Sequence, residues 1–265
     1  MLVLGVVGSP RREAGVSCEM VEATLAGARD AGAETATVYL ADYDLTPCRH
    51  CGGSCFSEGY CEHDREATLA LREVVEASDA LVLAAPVYMW QPAGLTALFM
   101  EKLRLRSGTW NNPNRNQRAG LGIAVAGGTG SGVFAALQSI YAWLCLWKFR
   151  PLPPMPVIRA NQQTALRSAA KAGAQLAAGA GEPFRSAGEL MAAYDALPSL
   201  RYSRVDEHRW LAETLGQALT NRGDSQAASS LVNLLAQAER MRGEGDLAGA
   251  ANVYMRAYHE GMRAW

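Results

Sequence analysis

Five short apolar segments alternate with five helical segments over residues 1–180, and this alternation limits the fold more than any other feature. The segment DALVLAAPVY at 79–88 is continuously apolar, as strands buried on both faces of a sheet are. The segment REATLALREVVEAS at 65–78 carries apolar residues at helical spacing. The alternation predicts an α/β fold with a doubly wound, five-stranded parallel sheet and right-handed crossovers.

The boundaries of these segments are set by where the hydrophobic pattern changes. The expected strands are 2–7, 35–40, 79–88, 119–128 and 154–160. The expected helices are about 16–31, 65–78, 92–104, 131–149 and 161–180, the third beginning at Pro92. In a parallel sheet, the loops that follow the strands meet at one edge, the carboxyl edge, where ligands bind.

The composition changes near 179–183, and only helical signals follow. Good helix formers fill two ranges, 206–222 and 226–262. We therefore predict one domain over 1–180 and a helical extension over 185–265, called the tail below. The tail contains no cysteine and no glycine-rich loop, so its expected role is assembly or partner binding. Truncation near Gly181 is then expected to leave a folded core.

Charge and hydropathy exclude several classes of function. The net charge is −1 and 49% of residues are hydrophobic, which provides a core but no global field that attracts nucleic acid or anionic membranes. The sequence has no run of about 18 apolar residues, so no transmembrane helix is expected. The N-terminal basic residues follow the apolar stretch, unlike those of a signal peptide. We predict a cytoplasmic protein with no nucleic-acid or membrane partner.

The loop after the first strand, GSPRREAGVSC at 8–18, combines glycines, hydroxyls and arginines (the first loop). A helix begins directly after it, and a helix N-terminus offers unpaired N–H groups and a partial positive charge. Ser9, Ser17, Arg11 and Arg12 add hydroxyl and guanidinium donors. This set suits a terminal phosphate. The alternative is a solvated turn with incidental arginines.

Two further loops are expected at the same edge. The second loop, at 86–91, places Tyr88, Met89 and Trp90 at the end of the third strand, where a flat ring can pack on side chains. The alternative is that Met89 and Trp90 cover the core. The third loop, at 127–132, is glycine-rich, but no acidic residue follows about 20 positions on, which excludes a dinucleotide-binding Rossmann site.

Four of the six cysteines follow the second strand with the spacing C-x2-C-x3-C-x5-C, from Cys48 to Cys61 (the cysteine loop, 48–61). Four thiolates within so short a segment can surround one [4Fe–4S] cluster or one Zn²⁺ ion. In a reducing compartment such clustered cysteines bind metal more often than they form disulfides. A loop without metal stays open as an alternative. Cys18 and Cys145 lie in apolar helical contexts and are predicted to be buried small hydrophobes.

In this order, these motifs resemble the NADPH-dependent FMN reductase family, and more narrowly its iron–sulfur flavoprotein branch. The resemblance covers about residues 1–180 and is carried by the first loop, by 48–64, by APVYMWQPAGLTALFMEKL at 85–103 and by AVAGGTGSG at 124–132. It implies a flavodoxin-like fold with FMN as cofactor and NADPH as electron donor. Val16 departs from the asparagine that is frequent in the family, and Glu101–Lys102 from a frequent arginine.

The resemblance also assigns residues to each cofactor. Those implied at the FMN phosphate are Ser9, Arg11 and Ser17. Those implied at the flavin ring and ribityl chain are Pro86, Val87, Tyr88, Met89, Trp90, Gly127, Gly128 and Thr129. Those implied as ligands of a [4Fe–4S] cluster are Cys48, Cys51, Cys55 and Cys61, although the middle gap of their motif is one residue longer than usual. No catalytic side chain is implied, because the flavin performs the chemistry.

The function that the resemblance implies is an FMN-dependent oxidoreductase reduced by NAD(P)H or by a partner, with the cluster relaying electrons. A small molecule or a protein accepts them, and the expected assembly is a homo-oligomer. Two alternatives remain: a non-enzymatic flavodoxin-like electron carrier, and a metal-free or zinc-stapled interaction protein. The polar loop 107–118 is expected to bind the NADPH 2′-phosphate, to reach a partner subunit, or to be a plain surface loop.

Overall fold

A computed structural model describes residues 1–52, 55, 61–64, 66–103, 118–179 and 181–265. Its strands are β1 (Leu2–Val7), β2 (Glu34–Tyr39), β3 (Ala80–Tyr88), β4 (Gln91–Pro92), β5 (Ala119–Ala126), β6 (Arg150–Pro151) and β7 (Met155–Ile158). Its helices are α1 (Val16–Asp30), α2 (Glu66–Ala77), α3 (Gly94–Lys102), α4 (Val133–Leu146), α5 (Gln162–Ala177), α6 (Ala187–Asp195), α7 (Arg204–Asn221), α8 (Ser225–Gly243) and α9 (Leu247–Ala264).

The predicted parallel sheet is confirmed, with the strand order β2-β1-β3-β5 followed by β6 and β7, which both pair with β5. The predicted fifth strand, 154–160, is observed as β7, and the two-residue strand β6 before it was not predicted. Pro153 and Pro154 lie between β6 and β7, and proline has no N–H to donate to a neighbouring strand. Helices α1 and α5 pack their apolar faces on one side of the sheet, and α2, α3 and α4 pack on the other.

The prediction that Pro92 begins a helix is wrong. Pro92 and Gln91 form the short antiparallel strand β4, which pairs with Val87 and Tyr88 of β3. The Ala93 N–H donates to the Pro86 carbonyl at 2.9 Å, and α3 begins only afterwards. A two-residue hairpin therefore ends β3 and fixes the second loop.

The tail is helical, as predicted. It includes α6, which the sequence analysis did not assign. The missed signal is a cap, because the Ser186 hydroxyl accepts a hydrogen bond from the Glu189 N–H at 3.1 Å. No helix in the described ranges is long and apolar enough to cross a membrane.

The tail shares a hydrophobic cluster with the sheet. Leu211 and Leu215 of α7 and Tyr258 of α9 belong to the same buried cluster as Phe134 and Ile140 of α4. The Tyr194 hydroxyl of α6 donates to the Phe149 carbonyl at 2.7 Å. The division into units 1–180 and 185–265 stays a prediction, and the packing is continuous across that boundary.

Candidate functional site

The first loop lies between β1 and α1 and is held on the sheet by backbone contacts. The Gly8 N–H donates to the Ala84 carbonyl of β3 at 2.8 Å, and the Thr96 hydroxyl of α3 donates to the Gly8 carbonyl at 3.3 Å. A Cβ on Gly15 would lie 2.9 Å from the Ser9 hydroxyl oxygen, so glycine there lets the loop fold back on itself. The first loop is thus fixed against β3 and α3.

The donors of the first loop differ in their availability. Ser9 and Ser17 are each 2% exposed, and the Ser9 hydroxyl accepts from the Arg11 N–H at 3.1 Å. Arg12 is engaged locally, with Nε 2.6 Å from Asp42 Oδ1. The Arg11 side chain is exposed and has no ion-pair partner among the described residues. Arg11 is therefore the cation of this loop that is available to a ligand.

The second loop has a strained backbone. Met89 and Trp90 form the turn of the β3–β4 hairpin with φ angles of 49° and 65°. Positive φ at both central residues is the pattern of a type I′ turn, which favours Asn-Gly. Non-glycine residues in this region cost roughly 1–3 kcal/mol each, and such strain concentrates at functional sites.

The side chains of the second loop are largely open to solvent. Met89 is 94% exposed and Tyr88 is 50% exposed, so Met89 does not cover the core. Trp90 instead lies against the third loop, where a Cβ on Gly132 would be 2.6 Å from the Trp90 Cα. Pro86 and Val87, just before the hairpin, are half-buried in β3.

The third loop follows β5 and completes the edge. Gly127, Gly128 and Thr129 are exposed, and a Cβ on either glycine would meet nothing within 4 Å. Because Val7 pairs with Ala84 and Pro86 pairs with Val125, the three loops leave neighbouring strands at the same edge. The structure therefore places all the residues implied for FMN along one edge.

The described cysteines of the cysteine loop surround one cavity. Cys48, Cys51, Cys55 and Cys61 all line a cavity of about 410 Å³, and none of them forms a disulfide. Residues 53, 54 and 56–60 of the loop lie outside the described part of the chain. The four predicted ligands are thus brought to a common space.

The same cavity contains charged groups that the sequence analysis missed. The side chain of Asp64 is 1% exposed and has one carboxylate oxygen 2.7 Å from Lys102 Nζ and the other 3.6 Å from Arg72 Nη2. Among the described residues that line the cavity, Arg49, Arg72 and Lys102 are cationic and Asp64 is the acidic one. A signal existed for Arg72, which lies on the buried face of amphipathic α2 beside Leu71 and Val75.

Glu101 and Lys102 connect α3 to the cysteine loop. The Glu101 carboxylate accepts a hydrogen bond from the Cys48 N–H, while Lys102 pairs with Asp64. The departure from the family pattern at these two positions thus has a structural role, because both side chains face the cysteine loop.

A smaller group of possible ligands is formed by one residue of the cysteine loop and the two residues that follow the loop. The ligand atoms of Cys51, Glu62 and His63 lie within 4.8 Å of one another, a spacing that suits one ion. A four-iron cluster distributes its four thiolates over separate irons and needs a wider arrangement.

The two remaining cysteines, Cys18 and Cys145, do not line the cavity of the cysteine loop. Cys18 is buried, and burial raises the pKa of its thiol. Its sulfur lies 3.7 Å from the Tyr39 hydroxyl, and this hydrogen bond is the main reason that the pKa of Tyr39 rises to about 12. Cys145 is half-buried, and burial raises the pKa of its thiol as well. The prediction of small buried residues is confirmed for Cys18 and holds in part for Cys145.

The polar loop predicted to reach a nucleotide or a partner lies almost wholly outside the described residues. Its last residue, Arg118, is buried, and its guanidinium donates to the Val75 carbonyl at 3.0 Å and lies 4.3 Å from the Phe149 ring centroid. Arg118 therefore stabilises the core and does not face a ligand.

The strand order and the glycine-containing loops at the carboxyl edge define a flavodoxin-like α/β protein. The family model for NADPH-dependent FMN reductase matches residues 1–163, and the chain belongs to this family. It is 34% identical over 146 residues to an iron–sulfur flavoprotein of Methanosarcina thermophila, an alignment that covers 54% of this chain and 73% of that protein. The family predicted from the sequence is thereby confirmed.

Two other similarities have a narrower scope. An iron–sulfur flavoprotein of Archaeoglobus fulgidus is 31% identical over 103 residues. This alignment covers 39% of this chain and only 46% of that relative. The NAD(P)H:quinone oxidoreductase of Methanothermobacter marburgensis superposes with a TM-score of 0.53 at 16% identity, covering 66% of this chain and 98% of that one. The structural similarity shows the fold.

Proposed function

We propose that this protein is an FMN-dependent oxidoreductase that takes electrons from NAD(P)H or a partner and relays them through a [4Fe–4S] cluster. The observation that carries the proposal is the convergence of four cysteines on one cavity, in the segment that follows β2 of a flavodoxin-like sheet. Family membership supports FMN, and the names of the two iron–sulfur flavoproteins support the cluster.

The residues of the first loop fit the phosphate of FMN. The hydroxyls of Ser9 and Ser17 are buried beside the N-terminus of α1, and exposed Arg11 adds a positive charge. The first-turn N–H groups of a helix are not satisfied within the helix and suit a phosphate oxygen. When bound, FMN supplies hydride and single-electron chemistry, and the N–H groups of the second and third loops stabilise negative charge at the ring.

The cavity of the cysteine loop fits an anionic iron–sulfur group. Four thiolates around iron carry negative charge into a partly buried space, and such charge needs compensation. Arg49, Arg72 and Lys102 line that space and provide it. Asp64 holds Lys102 and Arg72 in place. When bound, the cluster supplies a one-electron relay.

Arg11→Ala is expected to weaken FMN binding about tenfold to a hundredfold, because a charged hydrogen bond to phosphate is removed. Arg12→Ala is the matched control. The Arg12 guanidinium is engaged with exposed Asp42, and a surface ion pair contributes less than about 1 kcal/mol, so less than a fivefold change is expected. Fluorescence titration with FMN measures both. Equal weakening by the two variants would contradict the assignment of Arg11.

A non-enzymatic electron carrier is the second function to be distinguished. The enzyme is expected to turn over NADPH in steady state with a small-molecule acceptor such as a quinone, many times per FMN. A carrier would instead undergo a single reduction per bound flavin unless a protein partner is present. Anaerobic stopped-flow absorbance with excess NADPH separates the two, and the absence of turnover would remove the enzymatic proposal.

A zinc-stapled protein has one observation in its favour, the grouping of Cys51, Glu62 and His63. Metal analysis decides between this single-ion site and the cluster. We further propose a cytoplasmic homo-oligomer that reduces a small molecule or a protein, without nucleic-acid or membrane partners. The net charge of −1 supports the absence of nucleic-acid and membrane partners, and the cysteines that are free of disulfides support a cytoplasmic location.

A further inference from the structure

The tail contacts the two loops that border the proposed flavin ring. We propose that helices α7 and α9 form part of the flavin site, with Arg204, Glu207 and Tyr258 as positioning residues that hold the second and third loops. This inference rests on the proposed function in that it takes these loops to be the ring-binding ones. It assigns to the tail a role that its sequence does not predict.

The third loop is held by α9 through its backbone. The Tyr258 hydroxyl donates a hydrogen bond to the Thr129 carbonyl. Burial raises the pKa of Tyr258, so the hydroxyl stays protonated and remains a donor. The peptide between Thr129 and Gly130 is therefore fixed in orientation by a residue 129 positions away.

Helix α7 also contacts this loop. A Cβ on Gly130 would lie 3.0 Å from Leu211 Cδ2, so the loop backbone and α7 are in close contact. Leu211 is fully buried, as expected for a side chain enclosed between helix and loop. The loop cannot shift towards α7 without displacing Leu211, because the interior is closely packed.

Glu207 of α7 caps the helix that leaves the third loop. Its carboxylate is 4% exposed and accepts a hydrogen bond from the Phe134 N–H, in the first turn of α4, at 3.1 Å. Gly132 at the start of α4 offers no side chain for this purpose. This hydrogen bond is expected to stabilise α4 about as much as an ordinary N-cap side chain does. Here the capping side chain comes from the tail.

The second loop is held by the first residue of α7. The Arg204 guanidinium lies 5.0 Å from the centroid of the Trp90 ring, a cation–π contact on the strained hairpin. The position of Arg204 is fixed because Ser203 and Asp206 form a capping box at the start of α7. Asp206 is in turn 2.8 Å from Arg242 of α8, which connects the contact to the rest of the tail.

These contacts are directional interactions with polar groups and with a ring on strained backbone. They therefore fix the orientation of the loops more closely than apolar packing alone would. Two separate tail helices converge on the Thr129 carbonyl, the Phe134 N–H and the Trp90 ring. The geometry that the two loops present to the ring is therefore set by the tail. Loosening a single contact should change flavin affinity and the reduction potential of bound FMN.

Tyr258→Phe tests this directly because it removes only a hydroxyl. Its matched control is Tyr254→Phe, one turn earlier on α9. Tyr254 is fully buried, and its hydroxyl donates a hydrogen bond to the Glu239 carboxylate and not to the third loop. Tyr258→Phe is expected to weaken FMN binding about threefold to tenfold and to shift the flavin midpoint potential. Tyr254→Phe is expected to change neither, although both variants lose some thermal stability.

Glu207 provides a second, independent test. Glu207→Ala is expected to weaken FMN binding, and Glu207→Gln to restore it, because the amide oxygen still accepts from the Phe134 N–H. If folded Tyr258→Phe and Glu207→Ala bind FMN with wild-type affinity and potential, the inference is wrong. Wild-type protein that binds no FMN would instead refute the proposed function, so the two failures are distinguishable.

Discussion

Replacing Cys55 with serine is expected to remove iron and sulfide from the protein and to leave FMN bound. Cys55 lines the same cavity as Cys48, Cys51 and Cys61, and a hydroxyl is a poor substitute for a thiolate on iron. In protein prepared without oxygen, iron and acid-labile sulfide should fall from about four of each per chain to near zero. FMN should remain because its proposed loops contain none of these cysteines.

Cys145→Ser is the matched control for this experiment. Cys145 is half-buried in α4, does not line the cavity, and has a thiol whose pKa is raised by burial. Its replacement should leave the iron content unchanged. Full iron and sulfide in Cys55→Ser, or equal losses in both variants, would contradict the ligand assignment.

Ending the chain at Gly181 is expected to abolish FMN binding and to destabilise the remaining sheet. Phe134 of α4 packs against Tyr202 and Trp210 of the tail, with ring centroids 4.7 and 5.2 Å away. Uncovering a few such side chains costs roughly 1.5–3 kcal/mol each, a large share of the roughly 5–15 kcal/mol that stabilises a typical domain. The truncated protein also loses the Glu207 cap and the Tyr258 contact.

The sequence alone led us to expect that truncation near Gly181 leaves a folded core, because the tail resembles a separate module. The structure predicts the opposite result. Circular dichroism and FMN fluorescence of the truncated chain, beside full-length protein prepared identically, provide the measurement. A cooperatively folded truncated protein that binds FMN as tightly as the full chain would restore the modular interpretation.

Hydrophobic periodicity predicted the sheet and most helices because each element buries a face whose spacing is visible locally. The predicted bounds of helices and strands were wrong where two local signals compete. Pro92 suits both a helix start and an edge strand, and its pairing with Val87 decided between them. Helix α6 was missed because it is short and its cap at Ser186 was the main signal. The short strand β6 was missed because it has only two residues, and Pro153 and Pro154 separate it from β7.

The sequence motifs of the site could be predicted, but the contacts between their side chains and the rest of the protein could not. The resemblance pointed to Arg11, but the sequence could not show that Arg12 is engaged, because its partner Asp42 lies in a distant segment. Nor could it place Arg72 and Lys102 beside the cysteines, since two helices and a loop meet there. The contacts of the tail with the third loop and with α4 join residues more than 70 positions apart, and no local pattern encodes such pairings.

The most direct test of this account is the cofactor content of full-length protein that has never been exposed to air. Flavin, iron, sulfide and zinc are measured in one sample, with its visible spectrum recorded before and after NADPH. We expect about one FMN and about four iron and four sulfide per chain, with flavin and cluster absorbance both bleached by NADPH. Bound FMN with stoichiometric zinc, or with no metal, would contradict the cluster, and protein without flavin would contradict the account as a whole.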